Sequence, residues 1–186
     1  WMAVEGVDLK TIGVFSLVGL PYALKFFWAP LLDRFALPFL GRRRGWILFT
    51  QFALLGLIFL LSLTSPKNTP WLVALLALCL TFTSASQDIV IDAYRTDVLI
   101  EKERGLGAAV SVTGYRIAML TSGALALILA DPLGWRLTYM LMASLMLIGT
   151  MATFFGPEPE DIARPPHSLK EAISGPLTEF FDRPAA

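Results

Sequence analysis

The chain has 186 residues, 55% of them hydrophobic, and a mean hydropathy of +0.64. Fifteen Lys and Arg balance fifteen Asp and Glu, which removes the basic footprint that nucleic-acid binding requires. The single cysteine, Cys79, lies in an apolar run; it excludes a disulfide framework and argues against a thiolate metal site. So apolar a composition exceeds that of soluble domains of this size and predicts an all-α, polytopic membrane helix bundle.

The chain opens on Trp1-Met2 without a basic leader or a signal-peptide pattern, and reads as the interior of a longer protein just beyond a preceding span. A helix needs about 20 apolar residues to cross the hydrocarbon core. Five stretches qualify: residues 11–32, 46–64, 71–97, 106–130 and 136–155. Between them stand a polar loop at 33–45, a Pro- and Asn-containing turn at 65–70, a charged loop at 101–105 and the turn Asp131-Pro132-Leu133-Gly134. Residues 157–186 read as a linker. Within it Ser168 and Glu171 fit a capping box, and Leu169, Ile173, Leu177 and Phe180 recur at helical spacing, predicting an amphipathic helix over about 168–181.

Basic residues orient the spans. Arg34, Arg42, Arg43 and Arg44 crowd the 33–45 loop, Lys102 and Arg104 the next loop on that side, and Arg164, Lys170 and Arg183 the tail. Lys10, Lys67 and Arg136 lie on the other side. The positive-inside rule therefore predicts a cytoplasmic arginine-rich loop and a cytoplasmic tail. Trp46, Trp71 and Trp135 sit at span boundaries, as interfacial anchors do.

Three spans carry charge at membrane depth, where it is expensive unless it faces protein, water or a solute path. Counted from the arginine-rich side at about 1.5 Å per residue, Lys25 lies roughly 12 Å deep, Asp88 about 15 Å and Arg116 about 16 Å. Asp88 and Asp92 share one helix face, which Ser84 and Arg95 extend. Asp88 reads either as a proton-coupling or substrate-orienting carboxylate, with Gln87 and Ser86 as neighbouring hydrogen-bonding groups, or as the neutralising partner of Arg116. The spans 46–64 and 136–155 are nearly free of charge and are expected to face lipid, with the other three facing inward. Asp88 and Asp92 also have the spacing of a Mg²⁺ pair, but no phosphate loop or histidine base accompanies them, so the chain is not expected to be an enzyme or to hold a metal or cofactor.

The loop Asp33-Arg34 followed by Gly41-Arg42-Arg43-Arg44-Gly45 resembles the signature between the second and third spans of the major facilitator superfamily, with six residues separating its halves. Residues 20–34, 38–46 and Ser84-Ala85-Ser86-Gln87-Asp88-Ile89-Val90, with Asp92-Ala93 and residues 96–99, resemble the muropeptide permeases of that superfamily. The resemblance implies a partial N-terminal half of a major facilitator fold, lacking the first helix and the C-terminal half. It implies import of anhydromuropeptides across the bacterial inner membrane, driven by protons, for peptidoglycan recycling. It further implies that Lys25, Arg95 and Arg116 meet substrate carboxylates, that Ser86 and Gln87 bond sugar or amide groups, and that Asp33, Arg34, Arg42, Arg43 and Arg44 form a conformational latch. The rival expectation is a facilitator carrier of another solute, such as acetyl-CoA or drugs.

Overall fold

The computed structural model describes residues 1–35, 37 and 40–157. These are helical, with no strand among the described residues. The predicted amphipathic helix at 168–181 lies outside them.

The first span is segmented. Asp8 caps α1 (Leu9–Val14), accepting hydrogen bonds from the Thr11 hydroxyl at 2.5 Å and the Thr11 amide at 3.1 Å. These bonds favour the carboxylate and hold the Asp8 carboxyl below its ordinary pKa. A 3₁₀ turn (Phe15–Gly19) then leads into α2 (Leu20–Leu24), a second 3₁₀ turn (Lys25–Phe27) and α3 (Ala29–Arg34). Pro21 and Pro30 stand at the starts of α2 and α3, where a missing N–H costs least. The first span is thus a chain of short helices rather than one rod, and it extends to Arg34.

Gly41, at φ 79°, turns the backbone into α4 (Arg42–Ser62), a conformation that suits glycine. Its 21 residues rise about 32 Å, a full crossing. Pro70 opens α5 (Pro70–Val98), whose 29 residues rise about 44 Å and outreach the hydrocarbon core. After a 3₁₀ turn (Glu101–Glu103) come α6 (Arg104–Leu120), one π-helical turn (Thr121–Leu125) and α7 (Ala126–Phe155). The turn expected at residues 131–134 is a break at Gly134, with φ 76° and ψ 161°. Residues 101–155 form one apolar helical stretch of 55 residues, long enough for two crossings that meet at this glycine.

The heart of the described bundle is α4. It packs against α5 on one side and α7 on the other, while the first span packs along α5. Leu32, Ile47 and Val90 form a buried cluster beneath Trp28, Trp46, Ile89 and Tyr94. The expectation that the charge-poor 46–64 span faces lipid holds for one face only: α4 leaves Phe49, Phe52, Phe59 and Leu60 exposed, yet it is the most buried candidate span and also buries Thr50, Gln51 and Ser62. Scarcity of charge suits a helix wedged between apolar neighbours as well as one bathed in acyl chains. Conversely α6, expected to face inward, has no buried residue.

Candidate functional site

A polar seam joins the first span to α5. The Thr81 hydroxyl donates to the Val18 carbonyl at 2.7 Å, Tyr22 and Ser84 share a hydrogen bond of 2.6 Å, and Lys25 pairs with Asp88 at 3.9 Å. The positions advance together, 18, 22, 25 along one element and 81, 84, 88 along the other. These are the spacings that place residues on one helix face, so the two elements run parallel. The uppermost contact has a local cause. A 3₁₀ turn would satisfy the Val18 carbonyl from the N–H of residue 21, but Pro21 has none, and Thr81 supplies the missing donor.

The partner of Asp88 is therefore Lys25 and not Arg116. Both members of the pair are partly exposed, at 37% and 49% of their side chains. Among the described residues Arg116 makes no ion pair or hydrogen bond. Its depth nonetheless matches that of Gln87. Ser122 and Leu80 line one cavity of about 470 Å³. From there Arg116 lies six residues, or about 9 Å, and Gln87 seven residues, or about 10 Å, toward the arginine-rich end.

Other expected site residues divide sharply. Ser86 accepts a hydrogen bond from the Trp28 indole at 2.9 Å and donates to the Phe82 carbonyl at 2.8 Å, so its hydroxyl is consumed in packing. Gln87 buries its side-chain carbonyl oxygen without a hydrogen-bond partner, an expensive state that a bound polar group would relieve. Asp92 and Arg95 pair with each other at 3.1 Å along an exposed face of α5.

At the arginine-rich end, Arg43 bridges two carboxylates: Asp33 of α3 at 2.6 Å and Asp97 of α5 at 2.9 Å. Its side chain is only 10% exposed, so the ion pairs form away from bulk water, where screening is weaker. Arg42 donates to the backbone carbonyl of Asp33. Arg44 points elsewhere and donates to the Thr153 and Phe154 carbonyls at the end of α7, where a cation also complements the helix dipole. Arg34 lies outside this network, its guanidinium 5.7 Å from the Phe35 ring centre. The three successive arginines of α4 thus tie together the ends of α3, α5 and α7.

Sequence reasoning did not single out Thr81 as a contact, nor Tyr22 or Trp28. Tyr22 lies three residues before Lys25, and Thr81 seven before Asp88, so helical periodicity was the available signal. It also missed the Gln51 side chain, which donates to Thr153 across the α4–α7 contact at 3.0 Å.

Comparison with known proteins adds a relationship to this geometry. The Major Facilitator Superfamily profile matches residues 4–186. The anhydromuropeptide permeases of Escherichia coli K12 and O157:H7 are each 53% identical over 184 residues, covering 98% of this chain and 38% of each permease. An uncharacterized protein of Haemophilus influenzae is 43% identical over 185 residues, covering 98% of this chain and 44% of its own length. The chain thus spans about two fifths of the length of these relatives.

Proposed function

Since the chain belongs to the major facilitator superfamily and is a multi-pass membrane protein, we propose that it is part of a permease that imports anhydromuropeptides across the bacterial inner membrane. In this reading it crosses the membrane five times, with the arginine-rich end and the tail cytoplasmic, and it works together with a preceding helix and a second half. The observation that carries the substrate class is the 53% identity to the Escherichia coli permeases across 98% of the chain, which includes both the Lys25–Asp88 seam and the arginine network.

The transport step follows from the seam. Lys25 and Asp88 neutralise each other about 15 Å from the cytoplasmic end, a depth at which an unpaired charge is costly. Protonating Asp88 removes its charge and releases Lys25. A muropeptide carries peptide carboxylates, and the freed ammonium would pair with one of them. Arg116, at similar depth and without a partner among the described residues, offers a second cation. Gln87 offers a buried amide to a sugar or peptide group. Proton binding and substrate binding would thereby favour the same rearrangement, and the proton gradient would drive import. Arg43, holding Asp33 and Asp97 together, would stabilise one of the two transport states.

The test is uptake of labelled anhydromuropeptide by cells whose only such permease is the full-length protein. Asp88→Asn should lower proton-driven accumulation by about ten-fold, the effect of losing one charged contact of roughly 1.5 kcal/mol. Unchanged accumulation would remove Asp88 from the coupling role. Failure of unlabelled anhydromuropeptide to compete, where an unrelated solute does, would replace the substrate class itself.

A further inference from the structure

A groove of about 280 Å³ lies where the first span, α4 and α5 meet, bounded by Trp28, Leu31, Trp46, Phe49, Phe82 and Thr83. Its polar groups are turned to protein partners. The Trp28 indole bonds Ser86, the Trp46 indole donates to the Phe35 carbonyl at 2.6 Å, and the Thr83 hydroxyl donates to the Cys79 carbonyl at 2.8 Å. What remains facing the groove is hydrocarbon and aromatic ring. Such a lining offers a guest no hydrogen bond and suits a flexible apolar chain.

A cation stands one helical turn beyond the lining of the groove. Arg34 follows Leu31 by three residues on α3, so it lies on the same helix face, one turn closer to the arginine-rich end. Its guanidinium sits against Phe35, whose carbonyl holds the Trp46 indole at the groove's rim. Among the described residues it has no carboxylate partner and makes no hydrogen bond. Its neighbour Asp33 is engaged by Arg43. A cation beside an apolar slot matches one amphiphile in charge and in polarity: a phospholipid, with its phosphate on Arg34 and an acyl chain along Trp28, Phe49 and Phe82.

We propose that this groove is a binding site for a single anionic phospholipid of the leaflet on the arginine-rich side. The site is independent of the transported solute. Lipid bound here touches α3, α4 and α5 together and so braces the same three elements that Arg43 ties.

The experiment uses the full-length protein in mild detergent, titrated with phosphatidylglycerol or phosphatidylcholine and read by native mass spectrometry. The wild-type protein should hold one phosphatidylglycerol with a preference of about five-fold over phosphatidylcholine, roughly what one basic side chain adds at a headgroup. Arg34→Gln should abolish that preference and still bind one lipid, and Arg34→Lys should keep it. Thr83→Phe, which fills the groove, should remove the bound lipid whatever its headgroup. The proposal is overturned if Arg34→Gln keeps the preference, or if inorganic phosphate at millimolar concentration displaces the lipid. It is equally overturned if Thr83→Phe leaves lipid binding intact, since the groove would then be covered by another part of the longer chain.

Discussion

Ser86, Gln87 and Asp88 are consecutive on α5, and each meets a different environment. The helix turns about 100° per residue, so Ser86 faces Trp28, Asp88 faces Lys25 and Gln87 points away from both. Their polarity marked the segment, but polarity does not say which hydroxyl is spent on packing. Thr81 makes the same point in reverse. A threonine inside a helix commonly bonds its own preceding turn, and Thr81 lies within reach of the Ala77 and Leu78 carbonyls at 3.1 and 3.0 Å. Only the Pro21 turn opposite gives it a further acceptor, the Val18 carbonyl, at the shortest distance of the three. Thr81→Val is therefore expected to destabilise the full-length protein by about 0.6–1.7 kcal/mol, the range for hydrogen bonds between membrane helices. Thermal unfolding in detergent reads the change. The cost should shrink in a Pro21→Ala background, where residue 21 regains an N–H for Val18; equal costs in both backgrounds would refute this account.

Among the elements, the first span shows how prolines and glycines were legible as irregularity while their consequence was not. Gly19 and Pro21 ahead of Lys25 suggest a kink; the structure replaces one rod with three short helices and two 3₁₀ turns, stitched to α5 by side chains. At the other end of the chain, Asp131-Pro132-Leu133-Gly134 read as a turn, and the break falls on Gly134 alone. Its φ of 76° with ψ of 161° belongs to a region that only glycine occupies without strain. Gly134→Ala should cost about 1–3 kcal/mol. It should lower the unfolding temperature of the full-length protein more than Gly56→Ala, where a Cβ on α4 meets open space. Equal effects would mean that residues 126–155 tolerate a continuous helix. The relative burial of α4 and α6 was not legible. Hydropathy ranks a helix by its affinity for any apolar surroundings, and lipid and protein are alike in that respect.

For the molecule as a whole, the contacts of Arg43 carry the most consequence, because they join elements that are distant in sequence. Arg43→Gln removes the guanidinium that bonds both Asp33 and Asp97 and leaves Arg42 as the cation that still acts on the two carboxylates. The expected loss is about 1.5–3 kcal/mol, toward the lower end because Asp33 is 40% exposed and screened by solvent. Restoring neutrality with Asp97→Asn should recover part of it; no recovery in the double variant, measured by thermal unfolding, would show that Arg43 acts through packing alone. Composition, helical rise and strings of residues read in order suffice for the all-α membrane class, for the spacing of Lys25, Asp88 and Arg116 along their spans, and for the family. The partners come from packing: Lys25 for Asp88, Trp28 for Ser86, Asp33 and Asp97 for Arg43, and the C-terminal end of α7 for Arg44. Depth is a one-dimensional quantity that counting residues yields. Partnership depends on the rotation and neighbours of each helix, and those are set by how the apolar faces of the whole bundle close against one another.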